Sequence, residues 1–223
     1  MYDYRTVAEG SLTLERGLRV LRVLADHPEG LSVAELAAEL DTHRAGIYRL
    51  VGPLAEQRLV VRGAGGRLTL GLGLVELAGA VQSRLQEVAA RELRVLADAL
   101  RATTALTIRD GDEAVAAVVV QPTGTALHVA YRPGLRHPVD RAAPGIAILA
   151  GSVPRKGERP EVGVARKRGW SVTTGELLPG ATGVAAPIAG ADASISAVWI
   201  DRRDAAATAA AVVRAAASIS AAL

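Results

Sequence analysis

The sequence predicts an α+β chain in two parts, a helical start closed by a β-hairpin and a longer stretch in which short strands alternate with helices. Three observations carry this. Residues 11–57 place apolar side chains three and four apart, interrupted twice by turn residues. Residues 59–70 hold two β-prone runs around "GAGG". Beyond Ala102 the apolar period falls to 2 or becomes continuous. A chain of 223 residues suits one large domain or two small ones. The pattern divides it into 1–71, a connecting helix over 72–88, and 89–223.

The first helix lies in "SLTLERGLRVLRVLADHPEG". Leu14, Leu18, Leu21 and Ala25 share a stripe with Arg16, Arg19 and Arg22 between them, and Ser11 or Thr13 is the N-cap. His27-Pro28-Glu29-Gly30 ends it. "SVAE" at Ser32–Glu35 is a capping box opening a second helix, whose buried stripe is Val33, Leu36, Ala37 and Leu40. Asp41-Thr42 turns the chain and caps a third helix with core face Ile47, Leu50, Val51 and Leu54. Pro53 removes the bond to the carbonyl of Arg49, so this third helix is expected to kink or stop there.

Two short helices joined by a tight turn form a helix-turn-helix, in which the first braces the second and the second enters a DNA major groove. His43, Arg44, Tyr48 and Arg49 fall on the outer face of that second helix. The competing reading of the same four is a solvated face. The hairpin that follows, Leu59–Val61 and Arg67–Leu70 around Gly63-Ala64-Gly65-Gly66, is a wing. Arg62 and Arg67 flank its tip, positioned for the sugar-phosphate backbone. Charge agrees with this order. Residues 1–42 carry four basic against eight acidic groups, and residues 43–69 five basic against Glu56 alone.

In "LGLVELAGAVQSRLQEVAARELRVLADAL" one stripe is Leu74, Leu77, Val81 and Leu85, and a second is Val88, Leu93, Leu96 and Leu100. The phase changes near Glu87-Val88, giving two helices, the first with enough apolar surface for a dimer contact. "TTALTIRDGDEAVAAVVVQP" is strand, turn at Asp110-Gly111-Asp112, strand; "TALHVAYRPG" is a third strand. "APGIAILAG" is a short apolar helix, "GVAAPIAG" and "SISAVWIDRR" are strands, and a last helix follows Asp204. Six basic groups and two acids between Arg155 and Arg168 predict a solvated loop.

Composition closes off other classes. Half the residues are hydrophobic and 22% are charged, which is a globular balance. No cysteine is present, which excludes disulfides and thiolate metal sites and fits the cytoplasm. His27, His43, His128 and His137 lack metal spacing, and there is neither a G-x-S-x-G nor a phosphate loop. No enzyme, metal or cofactor is expected. No apolar run of membrane length is read, so no membrane partner is expected either.

"SLTLERGLRVLRVLADHPEGLSVAELAAEL", "IYRLVGPLAEQRLV", "RLTLGLGLVELA", "HPVDRAAPGIAILAG" and "RKRGWSVTTGELLPGATGVAAPIAG" together resemble the IclR family of bacterial transcription regulators, from Ser11 to Leu223. The resemblance implies a winged helix-turn-helix followed by a GAF-like α/β effector domain. It implies a double-stranded inverted-repeat operator bound as a dimer or tetramer, and a small organic effector, an acid or an aromatic. Ala45-Gly46 stand where the family has Ser-Thr, which puts Gly46 on the DNA face. Leu68 replaces a wing Tyr and Ile146 a Lys, and the segment between Gly151 and Gly169 is short enough to lack a helix. By position the effector pocket is lined by Ala142, Ala143, Pro144, Thr173, Thr174, Glu176, Gly183 and Val184. His128, Arg132, His137 and Arg141 are candidates to neutralise a carboxylate. Pro144 removes one backbone donor from any anion site here. The rival reading is a winged-helix dimerisation or ligand-binding module without specific DNA binding.

Overall fold

The computed structural model describes residues 11–81, 84–124, 129 and 131–223, in two compact units divided between Gln82 and Ser83. The first contains α1 (Leu12–Ala25), α2 (Val33–Glu39), α3 (Arg44–Glu56), β1 (Val60–Arg62), β2 (Leu68–Leu70) and α4 (Gly73–Val81). Ser11 caps α1, its hydroxyl accepting from the Leu14 N–H at 3.3 Å. The Ser32–Glu35 capping box is reciprocal: the Ser32 hydroxyl accepts from the Glu35 N–H (3.2 Å), and the Glu35 carboxylate from the Ser32 N–H (2.7 Å).

The core of this unit gathers Val20, Leu24, Leu31, Leu36, Ile47, Val60 and Leu68. On α1 the buried row is Gly17, Val20 and Leu24, while Leu14 and Leu18, expected inside, are more than half exposed. Both rows have helical spacing, and the row holding a glycine lies against the other elements. The wing pairs Val60 with Leu70 and Arg62 with Leu68. The turn before α2 joins it, since Leu31 and Leu68 exchange backbone hydrogen bonds of 3.0 and 2.7 Å.

Pro53 does not stop α3, which runs on to Glu56. Gly52 and Pro53 face solvent, so water can reach the unbonded carbonyl of Arg49. The turn and cap also differ from expectation: His43 is the N-cap, and no side chain caps the helix. After α3, Arg58 adopts a left-handed backbone (φ 58°) and the Leu59 N–H closes on the Leu54 carbonyl at 2.8 Å. Gly71 and Gly73 then pass against that turn. A Cβ on Gly71 would lie 2.2 Å from the Arg58 carbonyl oxygen, so the start of α4 accepts only glycine there.

The second unit contains α5 (Arg84–Leu100), β3 (Thr103–Asp110), β4 (Glu113–Val120), β5 (Arg136–Pro138), α6 (Ala142–Gly151), α7 (Pro160–Arg168), β6 (Ser171–Thr174), β7 (Thr182–Pro187), β8 (Ala193–Trp199) and α8 (Ala205–Ala222). Its antiparallel sheet has the order β5-β4-β3-β8-β7-β6. One core forms where α5 and α8 meet the sheet, around Leu93, Leu106, Val184, Ile195, Val212 and Ile219. A second forms with α6, whose residues 142–150 are all buried. Both faces of the sheet are therefore covered, and its inner strands read as unbroken apolar or small runs. By length and composition α8 would suit a membrane span, yet Val212, Ala216 and Ile219 place it in the core.

Several expectations need correction. The helices do not change at Glu87-Val88, since α5 runs unbroken from Arg84 to Leu100. Half of the strand expected over 125–134 lies outside the described residues, and its described remainder is not strand; Arg136–Pro138 forms the edge strand instead. The loop expected through Arg168 contains α7. Pro160 stands at its first position, Gly169 (φ 82°) closes it, and Val162 and Ala165 are buried. Proline at the start and glycine after the end are ordinary helix punctuation, outweighed in the sequence by the charge.

Candidate functional site

In the first unit, α3 presents His43, Arg44, Tyr48 and Arg49 on its open face, all exposed. Among the described residues none of these four side chains forms a hydrogen bond or an ion pair. Nothing in the fold needs them, and all can reach an external partner. His43 is the N-cap and leaves the first-turn N–H groups uncapped by a side chain, which suits an anion. Gly46 is half-buried. A Cβ there would come 3.0 Å from the Thr42 hydroxyl, so its smallness lets the α2–α3 turn pack.

The two wing arginines part company. Arg62 is exposed, and its guanidinium lies beside Gly66 at the tip, 3.2 Å from where a Cβ would stand. Arg67, expected at the phosphate backbone, instead turns inward. Its Nε donates to the Glu29 (3.2 Å) and Gly30 (3.1 Å) carbonyls and its Nη2 to Gly30 (2.7 Å), and the Glu35 carboxylate sits 3.3 Å away. Arg67 therefore clamps the wing to the turn before α2. The charge-assisted bonds predict that Arg67→Ala destabilises the first unit by about 1–2 kcal/mol. Thermal denaturation followed by circular dichroism checks this, and an unchanged midpoint would dismiss the clamp.

In the second unit, a narrow cleft with about 30 Å³ of free space opens beside the N-terminus of α6. Tyr131, Ala142, Ala143, Pro144, Thr173 and Glu176 line one side. Leu177, Leu178, Ala181, Gly183 and Val198 complete it. Five of the positions expected there line it: Ala142, Ala143, Pro144, Glu176 and Gly183; Thr173 is a sixth.

The α6 N-terminus is held by the protein itself. Ala142 takes a left-handed backbone (φ 55°), costly for a residue with a Cβ, and its N–H donates to Glu176 Oε2 at 2.8 Å. The Ala143 N–H donates to the Thr173 hydroxyl at 2.9 Å. Arg159 grips both Glu176 oxygens, Nη1 to Oε2 at 3.2 Å and Nη2 to Oε1 at 3.1 Å. The Arg159 guanidinium, helped by the Ala142 N–H, holds the Glu176 carboxyl below the usual carboxylate range.

Other expected members fall away. Arg132 is exposed and does not line the cavity; its neighbour Tyr131 does. Thr174 points elsewhere, its hydroxyl 3.0 Å from that of Thr182, because successive strand residues face opposite sides. Val184 by the same alternation belongs to the α5–α8 core. Arg141 is exposed, outside the lining. His137 is buried with Nδ1 2.9 Å from the Pro138 carbonyl, and burial pushes its pKa down, keeping it neutral. His128 lies outside the described residues. The sequence reading missed Arg159 and Tyr131, and only α7, taken for loop, would have pointed to the first.

Residues 13–64 match the model of the IclR helix-turn-helix domain. The HTH-type transcriptional regulator Rv1719 of Mycobacterium tuberculosis is 33% identical over 156 residues, which cover 69% of this chain and 60% of that protein. The HTH-type transcriptional regulator TtgV of Pseudomonas putida is 28% identical over 144 residues, 64% of this chain and 55% of that one. The matched stretches thus span less than two thirds of either relative. An IclR homologue of Microbacterium hydrocarbonoxydans, solved with 4-hydroxybenzoate, superposes with a TM-score of 0.79 at 23% identity, covering 95% of this chain and 98% of that one. An IclR transcriptional regulator of Alicyclobacillus acidocaldarius gives 0.77 at 23% identity, covering 96% and 99%. At that identity the two structures establish a shared fold.

Proposed function

The chain belongs to the IclR family of transcription regulators, and on that premise we propose that it binds an inverted-repeat operator as a dimer or tetramer and answers to a small organic molecule held beside α6. The observation that carries the first half is the α3 face. Among the described residues its four exposed side chains have no partner, and neither has Arg62 at the wing tip, while Arg67 is tied down. Arg44 and Arg49 address phosphates or guanine edges, and Arg62 addresses the flanking backbone. Assembly is supported by apolar residues left open in this unit, Leu14 and Leu18 on α1 and Val75 and Leu77 on α4. Two-fold pairing sets two α3 helices about one DNA turn apart.

The second half is supported by the cavity and by the ligand reported for the Microbacterium relative. A ligand there shifts the population of operator-competent arrangements by its differential affinity for them. The protein acts in the cytoplasm, where its operator lies.

Electrophoretic mobility shift on duplexes from the gene's own upstream region, titrated with salt, tests the reading. Arg62→Ala should weaken binding evenly on specific and unrelated duplexes and lower the slope of log K against log salt by about 1. Absence of any salt-dependent shift by the wild-type chain would leave the winged helix as an assembly module, which its exposed apolar faces also fit.

A further inference from the structure

We propose that the cavity beside α6 is built for a small uncharged molecule carrying one hydrogen-bonding group, and that it discriminates against carboxylates; this rests on reading the cavity as the effector site. A buried carboxylate needs donors or a cation to offset the loss of its hydration. Here the donors are taken. The Ala142 N–H is bound by Glu176, the Ala143 N–H by Thr173, and Pro144 has no N–H. The nearest cation is equally committed. Arg159 holds both oxygens of Glu176, its Nη1 also donates to the Asp140 carbonyl at 2.9 Å, and its Nε lies 3.4 Å from Glu161.

No second cation replaces Arg159. Among the described residues Glu176 is the sole charged side chain in the cavity wall. Arg132 and Arg141 stand outside it, and neutral His137 is not in it. An incoming carboxylate would therefore meet the ionised Glu176 with no cation of its own. Glu176 already fills the position at the helix N-terminus that an anionic ligand would take.

The rest of the wall favours an apolar body with a single polar handle. Pro144, Leu177, Leu178, Ala181 and Val198 supply the apolar surface. Tyr131 is 3% exposed, and its hydroxyl faces that of Thr107. Two facing hydroxyls spend one O–H donor on each other and keep the second for a ligand group. A compact aromatic alcohol, phenol or amide meets these conditions.

The test uses the full chain and two pairs of equal shape, 4-hydroxybenzamide with 4-hydroxybenzoate and benzamide with benzoate, measured by isothermal titration calorimetry at neutral pH. The amide of each pair should bind at least tenfold more tightly. In Glu176→Gln, which keeps an acceptor for the Ala142 N–H but leaves Arg159 with Glu161 as its one remaining carboxylate, the acids should gain at least tenfold. Gly183→Leu should abolish binding of all four, since a side chain there starts 3.6 Å from the Ala143 Cβ and 3.8 Å from Val198 and fills the cavity. Acids binding as well as or better than amides, in a manner Gly183→Leu abolishes, overturn the preference and leave the effector site standing. A Glu176→Gln chain whose affinity for the acids is unimproved overturns the preference in the same way. No binding by any probe, or binding that Gly183→Leu does not disturb, removes the effector site and the preference together.

Discussion

A chain carrying Arg44→Ala with Arg49→Ala is expected to bind its operator about 10²–10⁴-fold more weakly than wild type and to melt at the same temperature. A well-placed arginine contact to a base edge discriminates by roughly 1–3 kcal/mol, and two separated contacts add. Both side chains are exposed, and neither has a hydrogen bond or ion pair among the described residues, so removing them takes nothing from the fold. Alanine is also the best helix former and keeps α3 intact. Mobility shift and circular dichroism on the same preparations separate the effects. Operator affinity within threefold of wild type would take both residues off the DNA, and with them the reading of α3 as the recognition helix.

The second large effect is on stability. Gly145→Ala should lower the folding free energy of the second unit by about 3 kcal/mol, because overpacking against rigid neighbours costs about 1–3 kcal/mol and backbone neighbours are the least able to yield. A Cβ at Gly145 would lie 2.2 Å from the Val139 carbonyl oxygen and 2.9 Å from its carbon. Val139 cannot retreat, since its N–H is bound to the Asp112 carbonyl at 2.9 Å. The residues after Gly145, Ile146 to Ala150, are all buried, so α6 cannot rotate away without opening the core. For a unit of this size the change corresponds to a fall in melting temperature of roughly 6–12 °C. Gly183→Ala, where the nearest atoms are 3.6 and 3.8 Å from the new Cβ, should change it little. Equal melting temperatures for the two variants would show that α6 does not lie this closely on Val139.

Legibility in the sequence followed the reach of each signal. The Ser32–Glu35 capping box, the glycine-tipped wing and the apolar α6 run were legible because each is written within a few neighbouring residues. The α6 and Glu176 side of the cavity was reached through family resemblance, which transfers position along the chain. Neither route could see which partner a long side chain meets. Arg67 reads like Arg62 in sequence, and it is the carbonyls of Glu29 and Gly30, some 37 residues away, that draw it inward.

Thus the order of helices and wing, the short apolar helix and the absence of thiol chemistry followed from local periodicity, capping and composition. The buried row of α1, the helix α7, the inward turn of Arg67 and the Arg159–Glu176 lock on α6 required the packed chain. Periodicity states that a face is apolar or that a residue is charged. Which of two similar rows goes inside, and which carboxylate a guanidinium grips, depends on surfaces contributed by residues far away in sequence.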